Sequence, residues 1–417
     1  MNRFKSKSEF SRNVLTLMSG TTIAQAIPIA ISPILTRIYT PEDFGTFGLY
    51  LALVAVLSAF TTGKYELAIM LPKRDKDALN IVSFALIMTL IVSLIFLIIV
   101  YFFNTEITYF LDNPNLSFWL YLLPVSLFLS GMYQILFFWN NRKKEYKLLS
   151  QGTILQSSAI AITNLIFGIS HFFNGLLLGS AIGQIVTNTF LWKKSFQGKN
   201  YSFSISRLRM VANIRKYNNF PLYSMPMSIL NTMSSNIIVY SLSIFFNPLL
   251  LGYYYLSQRV LNTPLTIISN SLSSVFFQSV SHSTQKRDLY TKTFTYSFLT
   301  NTILLSPLFF FGSDIFAFVF GIQWQRAGEI AQIVSPLLIL SSATGSVSTI
   351  FPTLLKNEIT LIWQVCYFCG FLFIIYFYHS NFDTMLQLTT IFGSLMYLFL
   401  FVLGYTLLKG SYAKKNC

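Results

Sequence analysis

Charged residues are scarce in this sequence. They make up 10% of its 417 residues, whereas a soluble domain contains about 25%. Hydrophobic residues reach 53%, with 42 Phe and 23 Tyr, and one or two soluble cores cannot hide that much apolar surface. The shortage of charge therefore excludes a water-soluble globular protein and predicts a polytopic membrane protein.

Signatures of catalysis are missing as well. No G-x-x-x-x-G-K-[ST] sequence is present to cradle phosphates, so no ATPase is evident. Of the three cysteines, Cys366 and Cys369 lie inside an apolar stretch with no His or acid nearby. We interpret them as buried small apolar residues and not as a metal or redox pair. The sequence thus predicts no catalytic residue, no metal and no cofactor.

Apolar stretches of about 20 residues recur along the chain, each long enough to cross a hydrocarbon core of about 30 Å. The basic N-terminus runs into the first stretch without a small-residue cleavage site, so we expect that stretch to stay in the mature protein. The pattern predicts an all-α protein of about twelve transmembrane helices. The expected spans are 14–36, 44–66 (or to 71), 80–103, 118–140, 151–169, 173–192, 221–246, 250–279, 291–312, 328–355, 360–379 and 384–408.

Basic residues identify the cytoplasmic side. With the N-terminus placed inside, 26 of the 29 basic residues fall in cytoplasmic segments, and only Arg37 and Arg326 lie near the other face. Such asymmetry follows the positive-inside rule and predicts that both termini are cytoplasmic. Because the net charge of +15 is spread over seven segments, it does not indicate a nucleic-acid partner.

The chain divides into two similar halves. The longest basic loop follows the sixth span, so we expect a six-helix bundle at 1–192, a cytoplasmic linker at 193–219 that lies against lipid head groups, and a second six-helix bundle at 220–417. The pair Pro41 and Gly45 recurs as Pro248 and Gly252, offset by 207 residues. An even number of spans in each half predicts a parallel repeat with a substrate path between the halves.

Arg259 is the most informative charge. It lies about nine residues, or roughly 14 Å, inside its predicted span, near the bilayer centre. Its side chain cannot reach water by snorkelling from there, and a charge at that depth is by default a functional hypothesis. We therefore predict that Arg259 faces a cavity or is paired.

Two more groups of charges lie at the ends of the second span. Lys64 and Glu66 are two positions apart at the cytoplasmic rim, and on a regular helix they would point to nearly opposite sides. We therefore expect one of them to face inward. At the other end, Thr40 and Asp43 form a capping-box-like pair, and a gate between Asp43 and Arg37 is the alternative role.

Four stretches of the chain resemble the polysaccharide flippases of the Wzx type. They are "LTRIYTPEDFGTFGLY", "GKYELAIMLPKRDKDALNI", "NNFPLYSMPMSILNTMS" and "GYYYLSQRVLNTPLTIISNSLSSVFFQ". These flippases share a superfamily with the MATE drug exporters and the lipid II flippase. The likeness is strongest over residues 14–80 and 216–280.

The resemblance implies two six-helix bundles that form a V around a cationic cavity. It also implies transfer of an undecaprenyl-diphosphate-linked oligosaccharide across the bacterial inner membrane for O-antigen, capsule or exopolysaccharide synthesis. The expected substrate-binding residues are Arg259, Lys64 and Arg37, and the expected coupling or gating residues are Glu66 and Asp43. Membrane lipids, a coupling proton or sodium ion, a polysaccharide polymerase and a chain-length regulator are the expected partners.

Two rival functions remain open at this point. A MATE-type exporter of cationic drugs would place acids in the cavity, whereas bases dominate here. A membrane-embedded polysaccharide polymerase would carry a large periplasmic loop, and no predicted outer loop exceeds about 16 residues. A transporter, and not an enzyme, is the function that the sequence favours.

The charge partition predicts the topology directly. Alkaline phosphatase is active only outside the cytoplasm, so a fusion after Asn115 should be active and a fusion after Gly198 inactive. The measurement is phosphatase activity at matched fusion abundance. The reverse pattern would contradict the arrangement of twelve spans with cytoplasmic termini.

Overall fold

The protein is entirely helical in the part that the structure describes. The structure is a computed structural model and describes residues 2–170, 175–197, 206–282, 285–354 and 356–413. These ranges form fifteen α-helices, three short 3₁₀ segments and one π segment, with no β-strand among them. The predicted all-α fold is confirmed, as expected for a chain that must satisfy its backbone groups within a bilayer.

The helices follow one another with short connections. The first eight are α1 (Asn2–Ile38), α2 (Pro41–Thr61), α3 (Asp75–Phe110), α4 (Ser117–Leu120), α5 (Leu123–Arg142), α6 (Tyr146–Ile169), α7 (Gly175–Phe196) and α8 (Arg207–Lys216). The other seven are α9 (Met225–Phe245), α10 (Pro248–His282), α11 (Lys286–Phe320), α12 (Gln325–Val347), α13 (Ile350–Thr353), α14 (Asn357–Tyr378) and α15 (Phe382–Ala413).

Most of the expected spans recur as helices that fit a membrane. In the described ranges, nine helices are long and apolar enough to cross one, and a bent pair at Pro114–Leu120 and Leu123–Arg142 makes a tenth. The bend of 56° interrupts the fourth expected span. The seventh and eighth expected spans correspond to α9 and α10, which are 21 and 35 residues long but richer in Ser, Thr and Asn.

The second span is shorter than the sequence predicted. We expected it to end at residue 66 or 71, but α2 ends at Thr61. Gly63 and Lys64 then take positive φ angles of 55° and 62°, and a 3₁₀ helix follows at Tyr65–Met70. The apolar run continued past the helix end because the 3₁₀ segment is itself buried, so hydropathy could not locate the boundary.

Two compact units divide the chain, Met1–Asn236 and Ile237–Cys417. In the first unit, α1 packs on α6, α6 on α7, and α5 on both α3 and α7. In the second unit, α12 lies against α10, α11 and α15, and α14 packs on α15. The bundle bounds that we expected, 1–192 and 220–417, stay a prediction.

The first turns of α2 and α10 are built alike at the positions of the sequence repeat. Pro41 and Pro248 each occupy the first position of their helix, where proline loses no hydrogen bond. Each is preceded by a side chain that caps the helix, since Thr40 Oγ1 accepts from the Asp43 amide and Asn247 Oδ1 accepts from the Leu250 amide. The offset of 207 residues thus joins two equivalent helix starts.

Small residues allow close helix packing in the second unit. A Cβ added at Gly328 on α12 would lie 2.2 Å from the Gly312 carbonyl oxygen on α11, so neither glycine tolerates a side chain. Further along the same pair, Asn301 Nδ2 donates to Ser342 Oγ at 3.1 Å. Close backbones and interhelical hydrogen bonds hold helices together where lipid removes the hydrophobic driving force.

The linker expected at 193–219 is partly helical. Its residues 198–205 lie outside the described residues, and α8 forms most of the remainder. This helix docks on the first unit, because Asn213 Nδ2 donates to the Asp77 carbonyl at 3.4 Å and the Ser206 amide donates to Asn80 Oδ1 at 3.0 Å. The proposed contact with lipid head groups stays a prediction.

Arg142, the last residue of α5, fixes the segment between α2 and α3. Its Nη1 donates to the Ile69 carbonyl at 3.1 Å, and its Nε donates to Asp75 Oδ1 at 3.1 Å. Lys143 pairs with the same carboxylate. One guanidinium therefore joins the end of the 3₁₀ helix Tyr65–Met70 to the start of α3. Its several N–H donors point in different directions and can bind both partners at once.

The Arg142 contacts predict a graded loss of stability. We expect Arg142→Ala to lower the free energy of unfolding by about 1–3 kcal/mol because both the carbonyl and the carboxylate lose a charged donor. Arg142→Lys should cost less, since one ammonium can keep one of the two partners. The measurement is the melting temperature of the purified protein in detergent.

The matched control is Lys147→Ala, which removes one positive charge from an exposed position on the neighbouring α6. It should leave the melting temperature unchanged. If Arg142→Ala and Lys147→Ala melt alike, Arg142 does not hold the segment.

Candidate functional site

Glu66 is a buried acid with its own countercharge. Its residue is 1% exposed, its carboxylate accepts a hydrogen bond from the Thr62 hydroxyl, and Lys64 Nζ lies 3.7 Å from Oε1. A carboxylate removed from water needs both a partner charge and hydrogen bonds. Thr62, Lys64 and Glu66 therefore form one polar cluster at the end of α2.

The expectation that Lys64 and Glu66 point to opposite sides is wrong. It assumed a regular helix, but Lys64 adopts a left-handed conformation and Glu66 lies in the first turn of a 3₁₀ helix. The left-handed turn brings two side chains that are two positions apart to the same side. A left-handed lysine costs about 1–2 kcal/mol, which packing and the ion pair must offset.

The capping box predicted at the opposite end of α2 is confirmed. The Thr40 amide donates to Asp43 Oδ2 at 3.0 Å, and the Asp43 amide donates to Thr40 Oγ1 at 3.3 Å. Beside it, burial and the charge of Asp43 raise the pKa of Tyr39 to about 12. Arg37 is exposed in the last turn of α1. A gate between Arg37 and Asp43 stays a prediction.

Arg259 lies on a half-buried polar stripe of α10. It follows Pro248, the first residue of that helix, by eleven positions, or about 17 Å. Tyr255 hydrogen-bonds to it, and Asn262 Nδ2 donates to Gln258 Oε1 at 2.6 Å. These four side chains recur at i, i+3, i+4 and i+7, so they share one face of the helix.

A neighbouring face of α10 packs into the second unit. Tyr254, Ser257 and Leu261 are buried there, and the Ser257 hydroxyl donates to the Ala327 carbonyl on α12. The polar stripe is therefore distinct from the packing face. Sequence reasoning found Arg259 but missed Tyr255, Gln258 and Asn262, although their helical spacing is visible in "YLSQRVLN".

A second arginine in the same unit is neutralised by acids. Arg326 Nη2 lies 2.6 and 2.7 Å from the two carboxylate oxygens of Asp383, and its Nη1 pairs with Glu329. This bidentate contact ties the start of α12 to the start of α15. Arg326 thus joins two helix starts.

A cavity of about 260 Å³ opens within the first unit. It lies between α2, α5, α6 and α7, and its walls combine aliphatic residues of α2 with uncharged polar groups. The polar groups are Ser58, Ser130, Tyr133, Gln134, Gln156 and Gln184. Sequence analysis missed this cluster, because its members come from four different helices.

A larger groove of about 530 Å³ in the second unit is apolar. It runs along one face of α11 beside α12 and α15, and four phenylalanines line it: Phe294, Phe298, Phe309 and Phe310. Pro307 lies in α11 and Pro336 in α12, and Phe311 departs from helical geometry. The groove thus lies where both helices contain a proline.

Metal-binding groups do not gather in the described part of the chain, where no three His, Cys, Asp or Glu side chains come together. Cys366 and Cys369 are exposed on α14, so our expectation that they are buried is wrong. A membrane helix can expose small apolar side chains to lipid. Hydropathy alone does not distinguish such a position from one in the core.

Solved structures share this fold. A multidrug resistance MATE family transporter of the MOP superfamily, in an inward-facing conformation, superposes with a TM-score of 0.66 at 15% identity, over 93% of this chain and 95% of that chain. The lipid II flippase MurJ, in an inward closed conformation, superposes with a TM-score of 0.75 at 13% identity, over 93% of this chain and 86% of that chain.

A further MOP superfamily transporter, from Pyrococcus furiosus, gives a TM-score of 0.56 at 13% identity, over 94% of this chain and 95% of that chain. That transporter is described as having a binding pocket of reversed polarity. No sequence among the curated proteins matches this chain significantly.

The family model described as "Polysaccharide biosynthesis protein" matches residues 34–329. The match begins before α2 and ends within α12, so it contains Lys64, Glu66 and Arg259. It covers well over half of the 417 residues. The chain therefore belongs to this family of polysaccharide biosynthesis proteins, as a multi-pass membrane protein with the fold of the MATE and MOP transporters.

Proposed function

We propose that this protein is a flippase that moves an undecaprenyl-diphosphate-linked oligosaccharide across the bacterial inner membrane. The glycan would then enter O-antigen, capsule or exopolysaccharide synthesis. The observation that carries the proposal is the polar stripe around Arg259, within a family of polysaccharide biosynthesis proteins and a fold shared with a lipid II flippase.

The substrate explains why such a stripe is needed. A lipid-linked diphosphate and its glycan are strongly polar, and hydrocarbon offers them no hydrogen bonds. A guanidinium on a membrane helix can bind two phosphate oxygens at once. Tyr255, Gln258 and Asn262 supply neutral hydrogen-bonding groups beside it, while the prenyl chain stays in the bilayer.

The sign of the charge favours this function over drug export. An exporter of cations needs carboxylates at its binding site, and the stripe carries an arginine among neutral residues. The transporter described as having a binding pocket of reversed polarity supports the idea that members of this fold differ in pocket charge. A polysaccharide polymerase is disfavoured because the shared fold is that of transporters.

The orientation follows from the positive-inside rule. Both termini and the 193–219 linker are cytoplasmic, which places Lys64 and Glu66 at the cytoplasmic end of α2 and Arg37 and Asp43 at its outer end. Lys64 and Arg37 contact the diphosphate as it enters and leaves. Lys64 shares its charge with Glu66, so its contribution depends on that pair.

Coupling is assigned to the same pair. Protonation of Glu66, or sodium binding there, would release Lys64 for the anionic substrate, and the glycan would be delivered outside to a polymerase and a chain-length regulator. The burial of Glu66 and its distance of 3.7 Å from Lys64 support this role. Asp43 has the corresponding gating role at the outer end, beside Arg37.

The Arg259 side chain provides the first test of function. We expect Arg259→Lys to be partly active, because a point charge keeps the attraction but loses the planar fork. Arg259→Ala should lower polysaccharide export by more than about tenfold, and a tenfold loss of substrate affinity corresponds to about 1.4 kcal/mol of binding free energy. The measurement is surface polysaccharide in a strain that lacks its own flippase.

The matched control is Lys292→Ala, which removes an exposed cation from α11 in the same unit. All variants must reach wild-type abundance in the membrane, because the loss of a buried group can unfold the bundle. Full polysaccharide display by a well-expressed Arg259→Ala protein would remove Arg259 from the substrate path.

The Glu66 pair provides a second test. The Gln side chain in Glu66→Gln can still accept from Thr62 but cannot hold the Lys64 charge, so this variant should slow export and flatten its dependence on pH. Thr62→Val is the control, since it removes the hydroxyl and keeps the charge pair. Wild-type export with an unchanged pH profile in Glu66→Gln would reduce Glu66 to a structural residue.

A further inference from the structure

The uncharged cavity of the first unit has unused hydrogen-bonding groups. In the described part of the chain, Gln134 and Gln156 have no hydrogen-bonding partner, and Gln184 only accepts, from Ser130 Oγ at 3.4 Å. The three glutamines are half-buried, so their amides remain accessible from the cavity. Each amide has two donors and one acceptor, and leaving such groups in an apolar setting is costly.

The cavity lies well inside the membrane. Gln134 is eight residues before the end of α5, and Gln156 is ten residues after the start of α6. Both distances correspond to about 12–15 Å along a helix. Packing alone does not need glutamines at that depth, because an apolar residue there would fill space at no cost in hydrogen bonds.

The lining decides which chemistry fits. None of the nine residues that line the cavity is charged, so it suits neither the diphosphate nor a cationic drug. Its amides and hydroxyls can each donate and accept, which matches the hydroxyl groups of a sugar. Tyr133 adds an aromatic face, and an amphipathic ring offers both an apolar surface and a polar end.

The volume limits the size of the ligand. At about 260 Å³ the cavity is smaller than the roughly 300–1,000 Å³ of sites for drug-sized molecules. It therefore has room for one sugar ring and not for a whole repeat unit.

We propose that this cavity binds one sugar residue of the translocated glycan, through the amides of Gln134, Gln156 and Gln184 and the side chain of Tyr133. The proposal rests on the proposed flippase function and assigns sugar recognition to the first unit, whereas the Arg259 stripe belongs to the second. Ser130 is a positioning residue, because its hydroxyl orients the Gln184 amide. With the predicted orientation, Gln134 and Gln156 lie nearer the cytoplasmic ends of their helices than the outer ends.

Two lipids separate sugar recognition from diphosphate recognition. The probes are undecaprenyl diphosphate alone and the same lipid carrying one glucose, galactose or N-acetylglucosamine. Binding is measured as a Kd with the full-length protein held in lipid nanodiscs. The wild type should bind at least one sugar-bearing lipid more tightly than the bare diphosphate.

The test variant is the double substitution Gln156→Leu and Gln184→Leu, which keeps side-chain volume but removes both amides. We expect it to weaken binding of the preferred sugar-bearing lipid by about tenfold and to leave the Kd of the bare diphosphate unchanged. Gln151→Leu, at an exposed position of the same α6, should change neither. Equal melting temperatures establish that the variants fold.

The outcomes distinguish this proposal from the function on which it rests. If the wild type binds neither the bare nor the sugar-bearing lipids, the flippase function fails and the sugar site fails with it. If the wild type binds the bare diphosphate but prefers no sugar-bearing lipid, or if the double variant keeps wild-type affinity for all of them, the sugar site alone is wrong. Equal weakening toward both lipids would also contradict it, because the glutamines would then act on the diphosphate.

Discussion

The interior of a bilayer offers no hydrogen-bonding partner, and the rest of this structure depends on that constraint. It makes the described chain helical, and it makes a buried charge without a partner costly. Glu66 has Thr62 and Lys64, and Arg326 has Asp383 and Glu329. We propose that the substrate binds at the polar stripe around Arg259 and in the glutamine-lined cavity.

The same constraint explains how the two proposed sites complement each other. Arg259 supplies charge in the second unit, and the glutamines of the first unit supply neutral hydrogen bonds. A lipid-linked glycan carries both kinds of polarity, an anionic diphosphate and uncharged hydroxyls. We propose that the Arg259 stripe recognises the diphosphate and that the glutamine-lined cavity recognises the sugar.

Much of the fold could be predicted from the sequence because apolar length and basic asymmetry report directly on the membrane. The capping box at Thr40 and Asp43 was predictable for a different reason, because its contacts join residues that are close in sequence. Prediction was wrong at the end of α2, where the positive φ angles of Gly63 and Lys64 turn the chain without any change in hydropathy. Hydropathy also gave no sign that Cys366 and Cys369 face outward.

The candidate site was predictable only in part. Arg259 was found because a single charge deep in a span is conspicuous, and its stripe could have been found from helical spacing. The glutamine cavity could not, because Gln134, Gln156 and Gln184 are far apart in sequence and meet only through the packing of α5, α6 and α7. Tertiary contact, which no local pattern encodes, creates that site.

Translocation by the purified protein tests the flippase function most directly. Vesicles would carry an undecaprenyl-diphosphate-linked oligosaccharide in one leaflet, with and without the protein, and an impermeant glycosidase would report the fraction that reaches the other leaflet. We expect the lipid-linked oligosaccharide to cross rapidly in vesicles with the protein and slowly in empty vesicles. Equal crossing in both, together with protein-dependent transport of a cationic dye, would contradict the flippase function.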